Sequence, residues 1–166
     1  MNTITIDTPA GPLSVAGSDG AVVAAGFTAD SAELAALVPP ELRDGADADL
    51  DLVAESVRAY FDGDLTAIDR VPVRQRTGGE FRARAWDVLR TVPAGSPISY
   101  AEYAGRAGRP AAVRAAAQAC ARNAVVLFVP CHRVVRTGGA LGGYRWGIHV
   151  KRWLLTHEGR VTETRS

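Results

Sequence analysis

The spacing of apolar residues changes along this chain, and that change constrains the fold. Over residues 3–8, Ile4 and Ile6 alternate with polar neighbours, the period of a half-buried strand. Pro9-Ala10-Gly11-Pro12 makes a turn. Residues 13–16, the turn Ser18-Asp19-Gly20 and residues 21–27 then read as a hairpin. Asp30 or Ser31 can cap a short helix through 37, which Pro39-Pro40 ends before an acidic loop over 44–49. Leu50, Val53, Val57, Tyr60 and Phe61 share one helical face, and Gly63 is a stop signal. Residues 68–73 read as an extended connector.

Beyond residue 76 the helical period takes over. Phe81, Ala85, Val88, Leu89 and Val92 predict a helix over 79–91, with Phe81 and Trp86 in the core. Pro93-Ala94-Gly95 breaks it. Ser99 and Glu102 stand at capping-box spacing before a helix to 106. After the turn Gly108-Arg109-Pro110, an Ala-rich helix is expected over 111–121, with Pro110 in its first turn. Two short helices around a Gly-containing turn make a helix-turn-helix. An apolar strand over 125–129 and a last helix over 148–157, stopped by Gly159, complete the reading. The fold class is α/β of the α+β kind: a small N-terminal sheet-and-helix domain, 1–75, then a helical, winged-helix-like C-terminal domain, 76–166, containing the helix-turn-helix.

Charge divides along the same line. Residues 1–75 carry 4 Arg against 13 acids, a net −9; residues 76–166 carry 14 Arg and one Lys against 5 acids, a net +10. A basic half whose arginines interleave with a helix-turn-helix is the footprint of a nucleic-acid binder. No apolar run approaches the length of a membrane span, and no basic-then-apolar leader opens the chain. Two cysteines without a secretory signal point to the cytoplasm. Two cysteines and three histidines show no zinc spacing, and no Gly-rich phosphate cradle is present, so neither metal nor cofactor is expected.

Chemistry concentrates in Val129-Pro130-Cys131-His132-Arg133-Val134-Val135. A thiol is a good nucleophile only as the thiolate, which neighbouring cations or a His partner favour. Pro130 biases Val129 to extended backbone and should place the thiol at the exit of a strand. Adjacent residues of an extended segment point to opposite faces, so Cys131 and His132 meet directly only on a turn, and otherwise through water. A buried, inert cysteine is the competing reading.

The surroundings decide between them. Pro130-Cys131-His132-Arg133-Val134-Val135, followed by Gly142-Gly143-Tyr144 and Leu154-Leu155-Thr156-His157-Glu158-Gly159, resembles the O6-alkylguanine-DNA alkyltransferases. Upstream, Ile98-Ser99-Tyr100, Val113-Arg114-Ala115 and Asn123 fall where that family carries its tyrosine, arginine and asparagine. The resemblance covers roughly residues 78–159 and is weak over the first seventy. The stretch from Val134 to Gly147 is similar to the C-terminal half of the bacterial adaptive-response alkyltransferase.

The resemblance implies direct DNA repair by one irreversible transfer of an alkyl group from O6-alkylguanine in double-stranded DNA to Cys131, by a monomer that flips the base out of the stack. It implies His132 as the base acting through water, Glu158 as the group that orients it, and Tyr100 as proton donor to the guanine ring. Arg114 would fill the vacated stack, and Ala115, Arg109 and Arg122 would lie on the DNA. Tyr144, Val134, Arg145, Trp146 and Val126 would surround the base, and Asn123 would brace the turn before the cysteine. The chain departs from the family pattern at Ala117-Gln118, Ala124, Val126 and Arg145-Trp146-Gly147, where Trp146 should narrow the pocket entrance. A non-catalytic reader of alkylated bases would replace Cys131. A cysteine hydrolase would place nucleophile and base far apart in sequence.

Overall fold

The computed structural model describes residues 1–76 and 78–165, with side chains as far as 162. The chain forms two compact units, Met1–Arg76 with Ala124–Phe128, and Thr77–Asn123 with Val129–Ser166.

The first unit is a three-stranded antiparallel sheet in the order β1-β2-β3, formed by β1 (Asn2–Ile6), β2 (Leu13–Ser18) and β3 (Ala21–Gly26). Asp19 (φ 49°) and Gly20 (φ 77°) supply the left-handed backbone that a tight hairpin needs. Both faces of β2 are buried, which explains its run of small and apolar residues. The helix α1 (Ser31–Ala35) is capped by Asp30, which accepts from the N–H groups of Ala32 and Glu33. Leu34 and Val38 pack with Ala16, Val23 and Ala24. The helix α3 (Leu50–Phe61) buries Val53, Val57 and Tyr60, and Gly63 (φ 110°) follows it.

Several expectations need correction here. Pro40 opens a further short helix, α2 (Pro40–Arg43), because a proline that cannot continue one helix suits the first position of the next. In place of an extended connector over 68–73, a 3₁₀ turn, Ala67–Arg70, precedes a single bridge from Val73 to Val22. Residues 125–129 are not a strand. Val125 makes one bridge to Ala25, and the chain then turns, with Leu127 at φ 72°. These residues are buried on all sides, and a short apolar run buried in that way has no period that separates strand from turn.

The second unit is built on α4 (Glu80–Leu89), α5 (Tyr100–Arg106), α6 (Val113–Ala121) and α7 (Ile148–Arg165). Two-residue strands β4 (Ile98–Ser99) and β5 (Val134–Val135) pair in parallel. Trp86 packs α4 on α6 and donates its indole N–H to Ala119 O (2.9 Å); Tyr103 ties α5 to α4 through Ala85 O (2.8 Å). Phe81, expected in the core, is half-buried beneath Arg109, whose guanidinium lies 5.2 Å from the ring centroid. Ser99 caps α5 by accepting from Glu102 N (3.0 Å), while the Glu102 carboxylate binds Arg106 (2.9 Å).

Two helix boundaries also move. The helix α6 starts at Val113, since Ala112 N bonds to Arg109 O and Pro110 stays in the turn. The helix α7 runs through Gly159 to Arg165. Glycine stops a helix when it takes the left-handed conformation, whereas Gly159 is helical and costs α7 only about 1 kcal/mol. The extra turns have a contact to hold them, since a Cβ on Gly95 would meet Thr162 Oγ1 at 2.5 Å. Among the described residues, no helix is long and apolar enough to cross a membrane.

Candidate active site

Cys131, His132 and Arg133 form one turn of 3₁₀ helix in the second unit, directly before β5. Arg133 N bonds to Pro130 O (3.1 Å) and Cys131 N to Val129 O (2.8 Å). Asn123 braces the turn by donating Nδ2 to Val129 O (2.8 Å), from a fully buried position. The turn is the geometry in which adjacent Cys and His can serve one site, which an extended segment would deny them. The parallel pairing of Ile98 with Val134 sets Tyr100, the first residue of α5, at the same end of the small sheet.

His132 is completely buried, and its Nε2 lies 2.8 Å from Glu158 Oε2. Glu158, on α7, is also gripped by Arg133: Nε to Oε1 at 3.0 Å and Nη2 to Oε2 at 3.0 Å. The remaining Arg133 donor Nη1 reaches Val92 O (2.8 Å). Burial alone would raise the Glu158 pKa, but His132 and Arg133 hold it well below the usual carboxylate range, so it stays anionic. Burial lowers the His132 pKa against the pull of Glu158, so the resting imidazole is neutral. A neutral ring donating Nε2–H to Glu158 keeps its lone pair on Nδ1, which has no hydrogen-bond partner among the described residues. Glu158 is thus a mid-helix residue turned inward, not a solvated helix end, and Arg133 is the counterion that makes its burial tolerable.

Cys131 is 6 % exposed. Burial pushes its thiol up, and Asn123 and the nearby Lys151 and Arg145 cations offset that only in part. Lys151 was not anticipated from the sequence. It is fully buried on α7 and donates Nζ to Val134 O (2.8 Å) and Gly143 O (3.2 Å), joining the cysteine segment to the Gly-rich loop. Its ammonium lies 5.9 Å from the Tyr100 ring centroid. A signal existed: Lys151 is the only lysine in the chain and stands seven residues before Glu158, on the same side of one helix. Tyr100 is half-buried, and burial, with Cys120 and Cys131 close by, pushes its pKa up to about 12. The hydroxyl of Tyr144 is buried and has no hydrogen-bond partner among the described residues, as is Trp146 Nε1.

Two family descriptions match the chain: "6-O-methylguanine DNA methyltransferase, DNA binding domain" over residues 80–160, and "6-O-methylguanine DNA methyltransferase, ribonuclease-like domain" over residues 1–75. The methylated-DNA–protein-cysteine methyltransferase of Mycobacterium bovis is 37 % identical over 157 residues, which are 93 % of this chain and 90 % of that protein. The chain belongs to this methyltransferase family. The Shigella flexneri methyltransferase is 42 % identical over 108 residues, 64 % of this chain, and the match spans only 62 % of that protein's length. The crystal structure of Mycobacterium tuberculosis OGT in complex with DNA shares the fold with a TM-score of 0.80 at 33 % identity, covering 97 % of this chain and 94 % of that one.

Against that family background, the residues expected on DNA gather on α6 and the turn before it. Arg109, Arg114, Ala115 and Arg122 are all exposed, while Ala116 and Ala119 on the opposite face of α6 are buried. The exposed positions of α6 are Val113, Arg114, Ala115, Gln118 and Ala121. Arg145 donates to Ala121 O (3.0 Å), pinning the Gly-rich loop to the end of α6. Val134, Tyr144, Arg145 and Trp146 all belong to the second unit. Val126 lies in the first, buried, with its N–H directed at Ala25 O. Among the described residues, no group of three or more His, Cys, Asp or Glu could hold a metal ion.

Proposed function

We propose that this chain is a single-turnover DNA repair methyltransferase that transfers the alkyl group of O6-alkylguanine in double-stranded DNA to its own Cys131. The observation that carries the reading is the buried relay His132–Glu158–Arg133 next to the thiol, which leaves a neutral imidazole with a free lone pair on Nδ1. That is the arrangement of a nucleophile, its base and an orienting carboxylate.

The target base leaves the stack when α6 docks on the duplex, with Arg114 filling the vacated space and Ala115, Arg109 and Arg122 against the backbone. Tyr144, Val134, Arg145 and Trp146 surround the flipped guanine, and Asn123 holds the turn that aims the thiol. The Cys131 proton passes through a water molecule to His132 Nδ1, and Glu158 stabilises the imidazolium that results. Sγ then attacks the alkyl carbon. The Sγ–C bond forms, the C–O6 bond breaks, and its electron pair passes to the guanine. Tyr100, whose raised pKa keeps it protonated, donates to the purine ring nitrogen as this charge develops. A thioether is a poor leaving group, so each molecule acts once. The reaction requires neither cofactor nor metal, and we assign the protein to the cytoplasm as a monomer.

The test is intact-protein mass spectrometry after incubation with DNA carrying O6-methylguanine. One methyl per chain, mapped to Cys131, is the expected result. Repeated turnover, or a methyl on another residue, would overturn the reading.

A further inference from the structure

The helix α7 has two distinct faces. Val150, Lys151, Leu154 and Glu158 face inward, and Lys151 and Glu158 belong to the site described above. On the other side His149, Arg152, Trp153, Thr156, His157 and Arg160 line a surface cavity of about 270 Å³. Their spacing, i, i+3, i+4, i+7, i+8 and i+11, places all six along one continuous ridge. His149, Arg152, Thr156 and Arg160 are exposed. Trp153 and His157 are half-buried and stacked, with ring centroids 5.1 Å apart and planes inclined by 26°.

We propose that this outer face of α7 is a second DNA-strand site, separate from the helix-turn-helix. Arg152 and Arg160 hold phosphates, His149 and Thr156 hydrogen-bond the backbone, and the Trp153–His157 pair presents a stacking face to an unpaired base. Three observations carry this. Cations interleaved with aromatic rings in one groove are the chemistry that holds single-stranded nucleic acid, whereas an acidic peptide would use the cations and leave the rings idle. Arg152 and Arg160 are two turns apart, about 12 Å along the helix, which suits successive positions on an extended strand rather than one small anion. The ridge also begins where the DNA-facing segment ends. Arg145 is fastened to the end of α6, and two residues later Gly147 (φ 109°) lies under the His149 ring, where a Cβ would meet Cε1 at 2.6 Å. Within this unit the loop 144–147 thus joins the end of α6 to the start of the ridge. The proposal rests on the DNA-repair reading only in taking DNA as the polymer.

The test compares the full chain with R152Q/R160Q, W153A and R114A. Binding to a labelled oligothymidine and to an undamaged duplex is measured by fluorescence anisotropy over a salt series. Losing two phosphate contacts should flatten the slope of log K against log salt by about 1.4 on the single strand, at about 0.7 per phosphate, and weaken binding on the order of tenfold at low salt. W153A should weaken the single strand more than the duplex. Methyl transfer from the free base should be unchanged in both variants. If R152Q/R160Q does not fold, R152Q alone should flatten the slope by about 0.7. Unchanged affinity and slope in these variants, while R114A still weakens the duplex, would overturn the second site and leave the repair reading standing. Loss of duplex binding in none of the variants, together with no methyl on Cys131, would instead overturn the repair reading.

Discussion

His132 Nε2 and Glu158 Oε2 lie 2.8 Å apart, both side chains fully buried, and Arg133 closes on the same carboxylate with two further bonds. Three residues from two distant stretches of chain therefore form one charge-balanced unit in the interior. Most of what can be tested about this protein follows from how that unit and its neighbours behave when one member is changed.

Glu158→Gln should cost about 3–5 kcal/mol of stability, because it leaves the Arg133 guanidinium buried without its carboxylate. Urea unfolding at neutral pH measures this. The acid limb should change as well. His132 has a lowered pKa in the fold, so the unfolded chain takes up that proton first once pH falls below about 6.5. Glu158 is held below its ordinary range, so stability falls again as pH drops below about 4.3. Both steps make acid destabilising, and Glu158→Gln should remove the lower one. An unaltered acid limb in the variant would show that Glu158 titrates normally.

Cys131→Ala should abolish alkyl transfer while leaving DNA affinity nearly intact, since the exposed face of α6 is distinct from the buried thiol. Cys120→Ser should transfer at close to the parent rate. Cys120 lies on α6, half-buried and without the neighbouring imidazole that Cys131 has in His132. Quantifying methyl per chain and duplex binding in both variants checks the pair. Stoichiometric transfer in Cys131→Ala would sink the assignment.

Arg114→Ala should slow repair of O6-methylguanine in a duplex much more than reaction with the free base. Its exposed position on the first turn of α6 suits base extrusion, a step the free base does not require. Single-turnover rates with the two substrates decide it, and equal losses would assign Arg114 another role. Duplex binding by the parent chain should also weaken steeply with added salt, as counterions are released from each neutralised phosphate.

Trp146→Gly should raise sensitivity to free O6-benzylguanine with little effect on methyl transfer, and the parent chain should be poorly inactivated. The indole is half-buried in the loop that Arg145 pins to α6, so it has little room to swing aside. Overpacking a formed pocket costs about 1–3 kcal/mol. A favourable stack on the benzyl ring returns only about 0.5–1.5 kcal/mol. Rapid benzyl inactivation of the parent chain, or a less sensitive glycine variant, would show that the indole stacks rather than obstructs.

The local features of this fold were legible in the residues. Alternation marked β1, the Ser18-Asp19-Gly20 turn marked the hairpin, Ser99 marked the start of α5, and the helical spacing of Leu50, Val53 and Val57 marked α3, because each is decided by neighbours a few positions away. The Cys-His dipeptide, with the motifs around it, was enough to point to the chemistry. Boundaries set by tertiary contact were not legible. Gly159 reads as a stop until Thr162 finds Gly95, and 125–129 reads as a strand until burial on all sides lets Leu127 turn at positive φ.

The same division holds at the site. Sequence alone determined which groups are available: one thiol beside an imidazole, an arginine next to it, a carboxylate twenty-six residues on, and the chain's single lysine. Only the tertiary structure decided their states. Burial made His132 neutral, Arg133 kept Glu158 anionic, and α7 carried Lys151 to the carbonyls of Val134 and Gly143. A protonation state depends on desolvation and on charges a few ångströms away, and residues far apart in the chain supply both only after it has folded.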